Sequence, residues 1–174
     1  GLMRGFQLWI NLPAANKMDK PEYQEYKSDA FPVDKTSDYI VKVHIGSFDD
    51  ADAPIVDDIT NVSYFDIQLE AGKHFLNELP AGNNSFIYVF EGDGKFNGQY
   101  VPSNALIQLG TNDNKPDFIA GEEGARFLLV SGKPINESVV QYGPFVMNSR
   151  EEIDEAMHDY QSNNFVRDRA WIKR

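Results

Sequence analysis

Between Tyr39 and Ser131 the chain is cut into short apolar runs by turn-forming residues, and that spacing constrains the fold more than any other feature. Phe65, Ile67 and Leu69 alternate with Tyr64, Asp66 and Gln68, the period of two that turns one face of a strand to a core and the other to solvent. Tyr39 to Ile45, Ser85 to Phe90, Ala105 to Leu109, Phe118 to Ala120 and Ala125 to Ser131 are similarly short. Each is β-branched or aromatic and bounded by Gly, Asn, Asp or Pro. Short strands at close spacing predict a mainly β antiparallel sandwich or barrel rather than a βαβ array. The period then changes. Ser149-x-x-Glu152 has the form of a capping box, and Ile153, Ala156, Met157 and Tyr160 follow at helical spacing, so a C-terminal amphipathic helix of about three turns is expected. Pro13 to Ser37, polar and carrying three prolines, reads as a crossing segment.

The 41% of hydrophobic residues, with 12 Phe, 8 Tyr and 2 Trp among 174 residues, are enough to build one core and to offset the entropy of ordering the chain. The absence of cysteine excludes disulfides, thiolate metal sites and a cysteine nucleophile, and fits a reducing compartment. No apolar run has the length of a membrane span and no secretion signal is read, so no membrane contact and a cytoplasmic location are expected. The sequons at Asn61, Asn83 and Asn136 are then incidental.

A net charge of −11 opposes direct binding to nucleic acid, whose phosphates attract lysine and arginine clusters. Only the tail dissents. Arg167, Arg169, Lys173 and Arg174 surround Trp171 with Asp168 as the one acid, and this is read as a solvated helix end anchored by the tryptophan. Asp49, Asp50, Asp52, Asp57 and Asp58 lack the central glycine and the position-twelve glutamate of an EF-hand, and Pro54 interrupts them. They read as a solvated acidic loop. Glu91-Gly92-Asp93-Gly94-Lys95-Phe96-Asn97-Gly98 has the wrong spacing for a phosphate loop and is followed by a strand containing Pro102 instead of a helix N-terminus, so it reads as a hairpin turn. No Gly-x-Ser-x-Gly elbow is present, which removes that form of serine hydrolase chemistry.

Two longer segments carry a family likeness. Gly5-Phe6-Gln7-Leu8-Trp9-Ile10-Asn11-Leu12-Pro13 resembles the segment that follows the metal-binding part of pirin-family proteins. Gln141-Tyr142-Gly143-Pro144-Phe145-Val146-Met147-Asn148-Ser149-Arg150-Glu151-Glu152-Ile153 resembles a second pirin signature in the right order. Gly72-Lys73-His74, Ser85-Phe86-Ile87-Tyr88 and Phe127-Leu128-Leu129-Val130-Ser131-Gly132 keep that order between them. Pirins are bicupins whose N-terminal barrel binds one iron through three histidines and a glutamate, drawn from a His-Pro-His-Arg-Gly-Phe-Glu-type stretch and a later His-x-Glu pair. Neither occurs here. The resemblance therefore implies a C-terminal pirin cupin at 39–138 and a strand at 1–12 closing the first barrel. A crossing segment at 13–38 and a returning loop and helix at 139–174 complete the division.

The three histidines are weighed against that expectation, because metal oxygenase chemistry needs several neutral imidazoles on one ion with an open position. His44 falls in a strand, His74 just after Gly72, and His158 on the helix. His74 stands where a cupin's first metal motif would begin, with Glu78 four residues on. The partner histidine position is Leu76, and the later motif offers Arg126 and no histidine. A metal-free cupin is expected, with no catalytic, cofactor-binding or metal-binding residue in this chain and with iron implied only for the N-terminal cupin.

The expected role is a structural or partner-docking portion. The alternatives implied by the family are iron-dependent 2,3-cleavage of quercetin-type flavonols, or metal-linked co-regulation of transcription factors, in either case only with the N-terminal cupin present. Phe6, Leu8 and Ile10 on one face of the first strand, with Trp9 on the other, and the helical stripe Ile153, Met157 and Tyr160 predict contact with that cupin, with a second copy, or with another protein.

Overall fold

The computed structural model describes residues 4–110 and 114–173. In chain order the strands are β1 (Tyr23–Gln24), β2 (Val33–Lys35), β3 (Tyr39–Ile45), β4 (Ser47–Phe48), β5 (Ala51–Asp52), β6 (Ser63–Leu69) and β7 (His74–Leu76). They continue with β8 (Asn84–Phe96), β9 (Gln99–Val101), β10 (Ala105–Leu109), β11 (Asp117–Gly132), β12 (Val140–Tyr142) and β13 (Phe145–Met147). Helix α1 (Arg150–Gln161) and β14 (Ile172–Lys173) follow. The chain divides into two compact units, Tyr26–Pro134 and the combination of Gly1–Glu25 with Ile135–Arg174.

The Tyr26–Pro134 unit is a mainly β, cupin-type fold. Its antiparallel sheet runs β10-β8-β11-β6-β3-β2, with β7 paired to β11 and β9 to β8. Alternation along the strands sends Val41 and Val43, Phe65 and Ile67, Ile87 and Val89, and Phe127 and Leu129 into one core. All of these are at most 2% exposed. Phe118 to Ala120 and Ala125 to Ser131, read as separate strands, are the two halves of the 16-residue β11. They join across a register shift between Ala120 and Ala125, where Gly124 has a φ of +81°. There β11 presses on β8 so closely that a Cβ on Gly92, itself at φ +66°, would collide with the Gly124 carbonyl. The hairpin turn lies later than expected: Glu91 to Phe96 are strand, and Asn97 and Gly98, both at positive φ, make the turn. Such a pair matches the twist of a two-residue hairpin. Pro102 follows β9 instead of lying in it. Residues 26–38 belong to this unit rather than to a free crossing segment, since β2 pairs with β3.

The other unit holds the β12–β13 hairpin, α1 and the short parallel pair β1–β14. Both halves of the expected capping box form: the Ser149 side chain accepts from the Glu152 amide, and Glu152 accepts from the Ser149 amide at 3.0 Å. Ile153 is 1% exposed and Ala156 is buried, so the helix stripe is covered at its start. Only Tyr160 stands out at 63%, its ring edge-on to Phe145 and Phe165. The expected strand from Gly5 to Leu12 is not formed. Residues 4–13 have no strand pairing, and Phe6, Trp9 and Ile10 are all exposed. Alternation alone does not make a strand; a ladder partner must take up its amides and carbonyls.

Candidate functional site

The positions where a cupin metal centre was sought lie on strands whose alternation is fixed by the core. β7 reads exposed, buried, exposed, so Phe75 enters the barrel at 1% exposure while His74 and Leu76 face out. His74 Nε2 contacts the Asp117 carboxylate on β11, with both side chains about half exposed. Glu78 pairs with Lys115 at 3.2 Å on the surface. Arg126 precedes the buried Phe127 and so also faces out, donating from Nε and Nη2 to the two Asp66 oxygens at 3.0 and 2.6 Å. Its guanidinium lies 5.4 Å from the Phe90 ring, and the Asp66 hydrogen bonds hold its pKa above the ordinary value despite partial burial.

His44 is on the outer sheet face too, between the rings of Phe31 and Tyr64. His158 is exposed on α1, where its carbonyl accepts from Ser162. His44 and His74 have separate surroundings within the Tyr26–Pro134 unit, and His158 belongs to the other unit. Among the described residues no group of three or more His, Asp or Glu is placed to hold a metal ion.

The space inward of these positions is filled by rings. Phe127 packs edge-on to Phe75 at 5.7 Å and against Phe118 at 4.8 Å. Phe75 meets Tyr39 at 5.6 Å and Phe48 at 6.1 Å, and Phe48 meets Phe65 at 5.5 Å. Phenylalanine offers no donor to a cation. At one end of the barrel, Ser85 Oγ donates to Ser131 Oγ at 2.9 Å and Asn83 Nδ2 reaches the same oxygen at 3.0 Å. Sequence reasoning missed this cluster, although serines at inward strand positions were its signal. It is satisfied within itself, as buried hydroxyls must be.

An open cleft of about 310 Å³ was not foreseen either. Gln68, Glu70, Glu91, Glu122, Glu123 and Arg126 line it, from the end of β6 and from the middle of β8 and β11, where their pairing shifts register. Its residues are far apart in sequence, so no local motif announces it.

Of the five aspartates read as a solvated loop, Asp49 and Asp50 turn between β4 and β5, Asp52 lies in β5 and Asp57 is partly buried. Burial pushes the Asp57 carboxyl up, but hydrogen bonds from the Thr60 hydroxyl and from the Thr60, Ile59 and Val62 amides outweigh it, and its pKa lies below the ordinary value. In the tail, Trp171 is 77% exposed, and the chain beyond it pairs with β1 instead of forming the expected helix end. Phe165 also packs against Phe145 at 5.1 Å, and Arg167 pairs with Asp159 at 2.7 Å. Arg174 lies outside the described residues.

Fold and geometry together define a cupin with an aromatic-filled interior. The family model of the pirin C-terminal cupin domain matches residues 64–166. The chain belongs to the pirin family. It is 40% identical over 92% of its length to a Pseudomonas aeruginosa protein named "Putative quercetin 2,3-dioxygenase PA3240", covering 59% of that protein. It is 35% identical over its whole length to a pirin-like protein of Solanum lycopersicum, covering 61% of it. A crystal structure of quercetin 2,3-dioxygenase from Acinetobacter baumannii superposes with a TM-score of 0.84 at 28% identity, over 90% of this chain and 55% of that one. The chain thus spans about three-fifths of the length of the curated relatives it matches. Among the described residues no helix is long and apolar enough to cross a membrane.

Proposed function

We propose that this chain is a non-catalytic cupin portion of a pirin-type protein, serving as a structural and partner-docking half. The observation that carries this reading is the ring-filled barrel: Phe75, Phe118 and Phe127 occupy the interior at 0–1% exposure, and the polar candidates His74 and Arg126 face outward and are committed to Asp117 and Asp66. Three or four converging nitrogen and oxygen donors with an open position are what a non-haem iron requires. The donor set present does not fit that group. Any oxidative cleavage of a flavonol, the activity for which some relatives are named, would on this reading be carried by an N-terminal cupin. A cytoplasmic location is part of the same proposal.

The partner is that N-terminal cupin or a second copy of this chain. Phe6, Trp9 and Ile10 are exposed in a segment without sheet pairing, which favours association through residues 4–13.

The test is elemental analysis of the purified chain together with oxygen uptake on quercetin in the presence of added iron. Well under one equivalent of metal and no uptake are expected, with uptake appearing only on addition of a separately expressed pirin N-terminal cupin. A stoichiometric metal lost in His74→Ala, or turnover by this chain alone, would overturn the reading.

A further inference from the structure

A row of rings runs across the outer face of the sheet in the Tyr26–Pro134 unit, and an imidazole stands in the middle of it. Phe31 is 4.9 Å from His44, and His44 is 5.1 Å from Tyr64, centroid to centroid. Tyr26 meets Phe31 at 5.9 Å, which extends the row into the segment leading to β2. His44 sits at the register shift between Val43 and Ile45, where β3 bulges away from regular pairing with β6. A bulge re-aims a side chain, and here it carries the imidazole between the two rings.

No residue of the segment Tyr26–Pro32 is buried. Among its contacts are the tilted Phe31–His44 ring pair, the Pro32 carbonyl accepting from the Val43 amide at 3.0 Å, Lys42 Nζ donating to Ser28, and Tyr26 Oη donating to the Pro54 carbonyl at 3.4 Å. Its only regular structure is one turn of 3-10 helix at Ser28–Ala30 with no buried residue.

We propose that His44 is the trigger of a pH-operated latch, in which protonation of its imidazole loosens the Tyr26–Pro32 segment from the sheet. The charged and titratable groups facing His44 are Lys42 on its own strand, Tyr64 and Asp66 on β6, and Arg126 on β11; the segment itself presents the Phe31 ring. A proton on His44 finds no free counter-charge among them. Asp66 is already bound through both oxygens by Arg126. Phe31 already lies beneath a cation, since Lys42 Nζ is 5.8 Å from its centroid. Burial first, then Lys42 and Arg126, push the His44 pKa below its ordinary 6.5, with Asp66 the opposing influence.

Opening the segment returns the imidazole to water and to its ordinary affinity for a proton. The opening constant therefore rises as pH falls below 6.5, by up to about tenfold per pH unit, and levels off below the folded-state value.

The test is residue-resolved NMR on the full chain from about pH 8 to about pH 5, the range in which histidine titrates. It would follow the His44 imidazole together with hydrogen exchange of the amides in 26–31, corrected for the intrinsic dependence of exchange on pH. A His44 midpoint below 6.5, with the segment's opening rising on the same curve, is expected. His44→Phe keeps a ring at this position and cannot take the proton, so its segment should lose the pH response; His44→Gln should lose it too, should the phenylalanine disturb folding. His74→Gln should leave the response intact. A midpoint at or above 6.5, an opening constant insensitive to pH, a response that survives both His44 variants, or one abolished by His74→Gln would each overturn the proposal.

Discussion

Phe127→Ala tests whether the barrel interior is solid, on which the functional reading depends. Phe127 has no exposed surface and two ring partners, Phe75 and Phe118. Truncation of a buried phenylalanine costs about 3–5 kcal/mol, through lost transfer energy and the cavity left behind. Loss of two ring contacts, each contributing about 0.5–1.5 kcal/mol beyond area, places this site in the upper half of that range. Against a total stability of about 5–15 kcal/mol this is a large fraction, and the melting temperature should fall by on the order of 10–20 °C. Both tryptophans, Trp9 and Trp171, lie outside the Tyr26–Pro134 unit. The assay is therefore urea and thermal unfolding followed by circular dichroism and tyrosine emission, not tryptophan emission. Leu106→Ala is the control: its side chain is 62% exposed, so its cost should stay within about 0.5 kcal/mol. A Phe127→Ala cost below about 1.5 kcal/mol would show an interior that relaxes freely, and the argument that rings exclude a ligand from it would fail.

Three further outcomes are expected. Ser149→Ala removes the acceptor for the Glu152 amide and should cost about 1 kcal/mol, seen as faster hydrogen exchange over the first turn of α1. Gly92→Ala forces a Cβ against the Gly124 carbonyl at a positive φ, where neither backbone can yield. A loss of about 2 kcal/mol or more, or failure to accumulate as folded protein, should show in denaturant titrations. Asp57 has a folded pKa below its unfolded value, so its contribution is present above the unfolded value and lost as pH falls through the folded one. Asp57→Asn should therefore lower the urea midpoint near neutrality and flatten its acid limb below about pH 4, and an unchanged limb would remove Asp57 from the account.

Strand positions were legible wherever one face is buried and the other wet, because the period of two then survives in the residue types. Tyr39 to Ile45 and Ala105 to Leu109 have the bounds expected of them. β11 was read as two strands because Gly121-Glu122-Glu123-Gly124 interrupts its apolar pattern, although the backbone continues through the register shift. β7, β12 and β13 are three residues each, too short to display a period. Gly5 to Leu12 failed in the opposite sense: it alternates without a ladder to join. The capping box was readable because its two partners are three residues apart. The cleft and the His44 ring row were not, since each draws residues from separate strands or segments.

Register, more than residue type, sets what the His74 region can do. β7 pairs with β11 so that Phe75 lies opposite Phe118, and both enter the core. A slip of one residue would turn His74 and Leu76 inward and Phe75 outward. That slip exposes a phenylalanine, at about 1.5–3 kcal/mol. It also strips His74 from Asp117 and buries its ring nitrogens without a partner, at about 1–3 kcal/mol more. Leucine at 76 returns part of this, but its side chain cannot reproduce the edge-on contacts of Phe75 with Tyr39 and Phe127. The aromatic packing of the core is thus also what holds His74 outside, so the buried ring cluster and the outward position of that histidine have a common cause in the placement of Phe75.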